Sequence, residues 1–108
     1  MTREDAKNWI SKTCGEGWLH LVDQAYDNLP EGVEIIQVYQ KWAGLHFDTS
    51  RELESFDRYL EEILEISEVT CEMCGEKGSH YVIDSWEYTR CATHGEGGID
   101  LNNLPNNT

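Results

Sequence analysis

Two short motifs, Cys71-Glu72-Met73-Cys74-Gly75 and Cys91-Ala92-Thr93-His94, constrain this chain more than any other feature, and sixteen residues separate Cys74 from Cys91. A two-residue gap lets both ends of a tight knuckle point at one ion. Three thiolates and one imidazole form a standard tetrahedral set for Zn²⁺. Gly75 permits a positive φ, so the chain can turn back and aim its amides at the thiolates. The long gap suits a short hairpin between the knuckles. The sequence predicts one Zn²⁺ held by Cys71, Cys74, Cys91 and His94. Two other readings stand beside it. A redox CxxC or a disulfide would not call for the downstream CxxH. His80 could replace His94, but it lacks the CxxH pairing and sits at the start of a predicted strand. Four protein ligands leave no open position, which points to a structural role. A catalytic role would need one of the four not to be a ligand, with Glu72, Glu76 or Glu96 as base.

At 108 residues the chain is long enough for one modest core, or for a small core with a metal-stapled appendage. Four Trp and 10% aromatic residues favour a packed protein over a disordered one. Cys14 is left outside the metal set and is expected to be a small buried or semi-buried side chain. No cationic-then-apolar leader and no long apolar run is visible, so the expectation is a protein neither secreted nor membrane-spanning. Reduced thiols then fit a cytosol.

Charge is the second strong feature. Twenty-one Asp and Glu face eight Lys and Arg, a formal net charge of −13. Three thiolates on one Zn²⁺ add about one more negative charge. Such a field repels nucleic acid and attracts basic surfaces. Zinc ribbons that grip nucleic acid carry cations for the phosphates, whereas residues 71–98 offer only Lys77 and Arg90. Direct nucleic-acid binding is therefore not expected. Solubility alone is the competing explanation of the charge.

Periodicity predicts an α+β fold. Thr2 and Asp5 can form a capping box for a first helix with Ala6, Trp9, Ile10 and Thr13 on its apolar face. Gly15 and Gly17 break it. Trp18, Leu21, Val22, Ala25 and Leu29 form a second helical stripe, ended by Pro30-Glu31-Gly32. Residues 33–40 read as a strand and Leu45–Asp48 as its return, with a turn at Ala43-Gly44. Thr49 or Ser50 can cap a third helix whose seam is Leu53, Phe56, Leu60, Ile63 and Leu64. On that helix Glu54, Asp57, Glu61, Glu65 and Glu68 recur every three or four residues and line up as one acidic stripe, relieved only by Arg51 and Arg58. A solvated face is the plain reading. Like charges four apart cost helix stability, so a partner with a basic surface is the reading that gives the stripe a use. Tyr81–Ile83 and Trp86–Thr89, joined at Asp84-Ser85, are the strands between the knuckles. The predicted layout is a helix–hairpin–helix body over 1–69, a zinc-ribbon-like β-hairpin module over 70–98 packed on it, and a polar tail over 99–108, its end frayed.

Several pieces together resemble a known group. They are Gly17-Trp18, Leu21-Val22-Asp23, the run Gln37–Phe47, Cys71–Gly75, Trp86 and Thr89–His94. Across roughly residues 17–95 the chain is similar to small bacteriophage and prophage proteins with a helix–hairpin–helix body and a C-terminal CxxCG…CxxH knuckle pair. The resemblance implies a zinc-binding α+β fold and an accessory role in a bacterial host cytosol. It supports Cys71, Cys74, Cys91 and His94 as ligands and supplies no catalytic residue. The chain departs from the group at His46, where a basic Arg is expected.

No Gly-rich phosphate loop, serine nucleophile elbow or HExxH occurs. His20 and Asp23 lie one helical turn apart, with no nucleophile evident beside them. The expected function is therefore not enzymatic. It is a small acidic, zinc-binding, phage-type accessory protein acting by protein–protein binding, with Glu54, Asp57, Glu61, Glu65 and Glu68 as the contact face. Nucleic-acid mimicry against a host defence machine, in the manner of anti-restriction or anti-CRISPR inhibitors, is the sharper form. The alternative is a zinc-ribbon nucleic-acid-binding or transcription accessory protein. The aromatic residues near Trp18 and Trp42 read as core and rim, though exposed ones would suit a binding hot spot.

Overall fold

Thr2 opens the fold as the capping pattern predicts. Its hydroxyl accepts from the Asp5 amide at 3.1 Å, and α1 runs Arg3–Thr13. The computed structural model describes residues 1–101. After α1 come α2 (Leu19–Asp27), β1 (Ile35–Lys41), β2 (Gly44–Thr49), α3 (Glu54–Ser67), β3 (Ser79–Ile83), β4 (Trp86–Arg90) and β5 (Ile99–Asp100). The fold is α+β, with three helices and two small antiparallel sheets, β1-β2 and β4-β3-β5, among the described residues.

Ala6 and Ile10 of the first helix, with Cys14 just after it, meet Trp18, Leu21, Val22 and Ala25, and Val38, Leu45 and Ile63 close the other side of one core. Trp9 does not join it: predicted on the apolar face of α1, it is 45% exposed. Thr13 is exposed as well. Three successive core positions, 6, 10 and 14, already fill the narrow stripe that α2 and β1 cover, and Trp9 falls beside it. Arg3 and Lys7 reach Asp23 and Asp27 at 2.7–3.4 Å and tie the two helices at the surface.

The β1-β2 hairpin turns one residue earlier than the sequence suggests. Lys41 pairs with Gly44, so Trp42 and Ala43 form the two-residue turn, both at positive φ (50° and 64°). Gly44 lies in β2 for a different reason. A Cβ there would stand 2.4 Å from Leu64 Cδ1, so its missing side chain lets α3 pack on the strand. The start of α3 also departs from expectation. Thr49 bonds to the Arg51 carbonyl, and the Ser50 hydroxyl accepts from the Glu34 amide, so both finish the hairpin and neither caps the helix. Leu53 takes the cap position without a side-chain bond, and Glu54 and Asp57 in the first turn favour the positive end of the helix dipole.

The second hairpin forms as predicted, with Asp84-Ser85 as its turn. The sequence reading of residues 99 and 100 as tail is corrected. They add a third strand, Val82 opposite Ile99 and Tyr81 opposite Asp100, because β3 otherwise leaves an open edge. The expected fraying of the polar end, from Asn102 onward, lies outside the described residues. No helix among the described residues is long and apolar enough to cross a membrane.

Candidate metal centre and acidic face

The two knuckles are built alike. The Gly75 amide donates to the Cys71 carbonyl and the Gly95 amide to the Cys91 carbonyl, each at 2.8 Å. Each turn thus folds its first ligand over its second. Gly75 has φ +84°, as the turn requires. Strands β3 and β4 deliver the second knuckle to the first, since Cys91 directly follows β4. The four donor atoms of Cys71, Cys74, Cys91 and His94 all lie within 4.8 Å of one another.

Of three separations among the donors, two match a metal tetrahedron and the third is shorter. Bond lengths of about 2.3 Å to sulfur and about 2.05 Å to nitrogen give edges of roughly 3.8 Å (S···S) and 3.6 Å (S···N). Cys74 Sγ lies 3.7 Å from Cys91 Sγ, and His94 Nδ1 lies 3.6 Å from Cys71 Sγ and 3.1 Å from Cys91 Sγ. The donors differ in their surroundings: Cys71 is buried and Cys74 exposed. The His94 amide draws the Cys91 thiol down to about 6. Although the Glu76 amide favours its thiolate, Cys74 is held up at about 11 by desolvation and by the Cys71 and Cys91 thiols. Three sulfurs this close disfavour several negative charges together, and a divalent cation among them stabilises all three thiolates. The cluster could hold a metal ion.

No protein-family model, curated protein or solved structure shows a significant match to the chain.

The other candidate ligands and bases lie elsewhere. His80 Nε2 sits 2.8 Å from Glu87 Oε1 on the second hairpin. Glu76 and Glu96 are exposed. Glu72, between the two cysteines of the first knuckle, is 1% exposed. Its carboxylate accepts from the Thr89 amide at 3.2 Å and lies 3.7 Å from the Arg90 guanidinium. Burial pushes this carboxyl up to about 6 against those two partners. Glu72 therefore clamps the first knuckle to β4. Sequence reasoning saw it only as a possible base, and its one signal was an acid placed inside CxxC. Cys14 is buried as expected, and burial pushes its thiol up to about 11.

Contacts joining the metal centre to the helical core were also missed. The Gly17 amide donates to the Glu72 carbonyl at 2.9 Å, and the Trp18 indole donates to the Thr70 carbonyl at 2.8 Å. A Cβ on Gly17 would lie 1.9 Å from the Cys71 carbonyl oxygen. Gly17 thus breaks a helix and also lets the backbone approach the knuckle. On the far side, the Thr89 hydroxyl donates to the Ala43 carbonyl.

The acidic stripe lies on one edge of α3. Glu54, Glu61, Glu65 and Glu68 are exposed and Asp57 is half-buried. Glu54 pairs with Arg58 at 3.0 Å. The stripe borders surface hollows. Asp57 and Glu61 stand over Leu45, Phe47, Leu60 and Leu64 between α3 and β2, and Glu65 and Glu68 flank a second hollow with Val69 and His80. His46 lines the first of these and stacks on Tyr39 at 5.6 Å. Asp23 is engaged by Arg3 and Lys7, which takes it away from His20.

Proposed function

We propose that the chain is a non-enzymatic, zinc-stapled interaction protein that binds a partner protein with a basic surface. The observation that carries this reading is the four-donor cluster, Cys71, Cys74, Cys91 and His94, whose ligand atoms all lie within 4.8 Å of one another, as a closed Cys3His tetrahedron needs. A closed set leaves the metal no position for water or substrate, so its use is to hold the hairpin in place. The donor chemistry favours Zn²⁺, since thiolate-rich tetrahedral sites suit it. The partner reading is supported by the net charge of −13 and by the alignment of Glu54, Asp57, Glu61, Glu65 and Glu68, of which Asp57 and Glu61 border a hollow floored by Leu45, Phe47, Leu60 and Leu64. A lysine or arginine stem fits such a floor while its head meets the rim.

In its sharper form, the protein is a phage-type accessory factor of the bacterial cytosol that occupies the nucleic-acid-binding surface of a host defence enzyme. The phage assignment rests on the sequence resemblance alone, and the mimicry on charge. Elemental analysis of protein purified without chelator tests the metal, with one zinc per chain expected. Inhibition tests the partner. In a panel of restriction and CRISPR nucleases, at least one should lose DNA binding in the presence of this protein, less so as salt rises. Reversing Glu54, Glu61 and Glu65 to Lys should slow that association and flatten its salt dependence. Equal rates for wild type and variant at low salt would leave the stripe as a solvated face.

A further inference from the structure

Three of the four tryptophans are exposed, Trp9 at 45%, Trp42 at 66% and Trp86 at 55%, and Trp86 borders one hollow with Trp9 and another with Trp42. Trp9, Tyr39, Trp86 and Tyr88 surround a hollow of about 240 Å³ with Glu72 among its lining residues. Trp86 also borders an adjoining hollow of about 200 Å³, together with Trp42 and Glu87. The two hairpin tips and the side of α1 thus present a continuous aromatic face. Exposed apolar surface gathered in this way marks binding sites, and Trp and Tyr dominate such hot spots.

The Trp86 ring is held before any ligand arrives. The Trp86 indole donates to Gln40 Oε1 at 3.1 Å, and the Gln40 amide donates to the Glu87 carbonyl at 2.5 Å. Trp42 sits in a turn at φ 50°, a strained place for a bulky residue. Rings fixed in advance lose little entropy on binding.

The chemistry of the face selects the occupant. Its rings already accept cations: Lys41 Nζ lies 4.4 Å from the Trp42 centroid and the Arg90 guanidinium 4.3 Å from that of Tyr88. Arg90 is turned inward toward Glu72, and Glu87, which also lines the second hollow, keeps its carboxylate against His80 at 2.8 Å. Stacked nucleobases would use the same rings, but their phosphates would meet a chain of net charge −13. We propose that this face, formed by Trp9, Tyr39, Trp42, Trp86 and Tyr88, is a docking surface for a cationic segment of a partner protein that lays arginine or lysine side chains on the rings. The proposal shares the protein-partner reading above but does not depend on the acidic stripe of α3.

The test is an NMR titration of the indole N–H signals with a nona-arginine peptide, in wild type, in Trp42→Ala/Trp86→Ala and in the Glu54, Glu61, Glu65→Lys variant. The salt is set near 0.5 M, where exposed charges are screened beyond roughly 4 Å. The signals of Trp9, Trp42 and Trp86 should move while that of the core residue Trp18 stays, which also reports an intact fold. The double tryptophan variant should bind the peptide about tenfold or more weakly, by loss of cation–π and stacking contacts. Single Trp42→Ala, at the most exposed ring, should give part of that loss. The α3 variant should keep its high-salt affinity within about twofold. The proposal falls if the exposed indoles do not move, or if the double tryptophan variant binds as wild type does. It falls equally if a single-stranded oligonucleotide, or dilution of the protein alone, moves the indoles and the peptide does not. Binding lost only in the α3 variant would overturn this surface and leave the acidic-stripe reading standing.

Discussion

Gly17 and Glu72 show how single residues join two parts of this molecule. An added Cβ on Gly17 would meet the Cys71 carbonyl at 1.9 Å and the Gly75 amide nitrogen at 2.6 Å. Both are backbone atoms of the metal knuckle and cannot swing aside. Gly17→Ala is therefore expected to cost roughly 2–3 kcal/mol, at the upper end of overpacking penalties. It should also weaken metal retention, because Cys71 itself must shift. Urea unfolding of the metal-loaded protein, with a competing chelator assay, measures both; an unchanged midpoint would show that the knuckle yields easily. Glu72→Ala acts differently. It removes the acceptor of the Thr89 amide and leaves Arg90, 3.7 Å away, without its buried carboxylate. Losing one partner of a buried ion pair costs about 3 kcal/mol or more. Glu72→Gln, which keeps an acceptor for Thr89, should lose less than Glu72→Ala in the same unfolding experiment. Equal losses would mean that Arg90, and not the amide bond, sets the cost.

At the scale of elements, both hairpins use two-residue turns with positive φ and neither has glycine in the turn: Trp42-Ala43 and Asp84-Ser85. Such turns favour Asn-Gly, since other residues strain there by roughly 1 kcal/mol or more each. Ser85→Gly, at an exposed position with φ 68°, should therefore raise stability by about 1 kcal/mol and the melting temperature by roughly 4 °C, which a thermal scan reads directly. A lower melting temperature would show that the turn is not strained. The same chemistry explains where the sequence could and could not be read. Helix stripes such as Leu21, Val22 and Ala25 were legible because burial and period agree. The first turn was misplaced by one residue because Gly44 looked like a turn residue, when Leu64 of a distant helix is what requires it. Thr49 and Ser50 looked like helix caps, yet the strand pair claimed them. The third strand was illegible because two residues, Ile99 and Asp100, carry no period. The gathering of Cys71, Cys74, Cys91 and His94 was legible, since residue type and spacing carry it. The face carrying Trp9, Trp42 and Trp86 was not, because three distant segments compose it.

For the molecule as a whole, the question is whether the metal centre is an appendage or part of the core. Composition suggests the former: a helical body with its own apolar set, and a short hairpin module of thin apolar content that the metal alone would organise. The contacts argue for closer coupling. Trp18, fully buried at the centre of the helical core, gives its indole hydrogen bond to the Thr70 carbonyl, one residue before the first ligand. The joint between α1 and α2 rests on the Glu72 carbonyl through Gly17. From the other side, Thr89 is fully buried and bonds to Ala43 in the turn of the first hairpin, while Gln40 holds Trp86. With a metal held by this cluster, its release would free four donors and let both knuckles open. The Thr70 carbonyl and the Gly17 amide then lose their fixed partners, and an unpaired buried polar group costs about 1–3 kcal/mol. A domain of this size has only about 5–15 kcal/mol to lose, and metal binding is part of its folding free energy. Chelation is therefore expected to loosen the helical core together with the hairpins. On adding a strong chelator at 25 °C, the near-ultraviolet circular dichroism of Trp18 and the far-ultraviolet helical signal should fall in one concerted step, and zinc should restore both. A Trp42→Phe/Trp86→Phe background removes two of the exposed indoles from the near-ultraviolet signal, so that Trp18 contributes more of it. If the tertiary signal of the hairpins disappeared while helicity and the Trp18 band persisted, the two parts would be separable, and the hydrogen bonds from Gly17 and Trp18 would contribute little to holding the core.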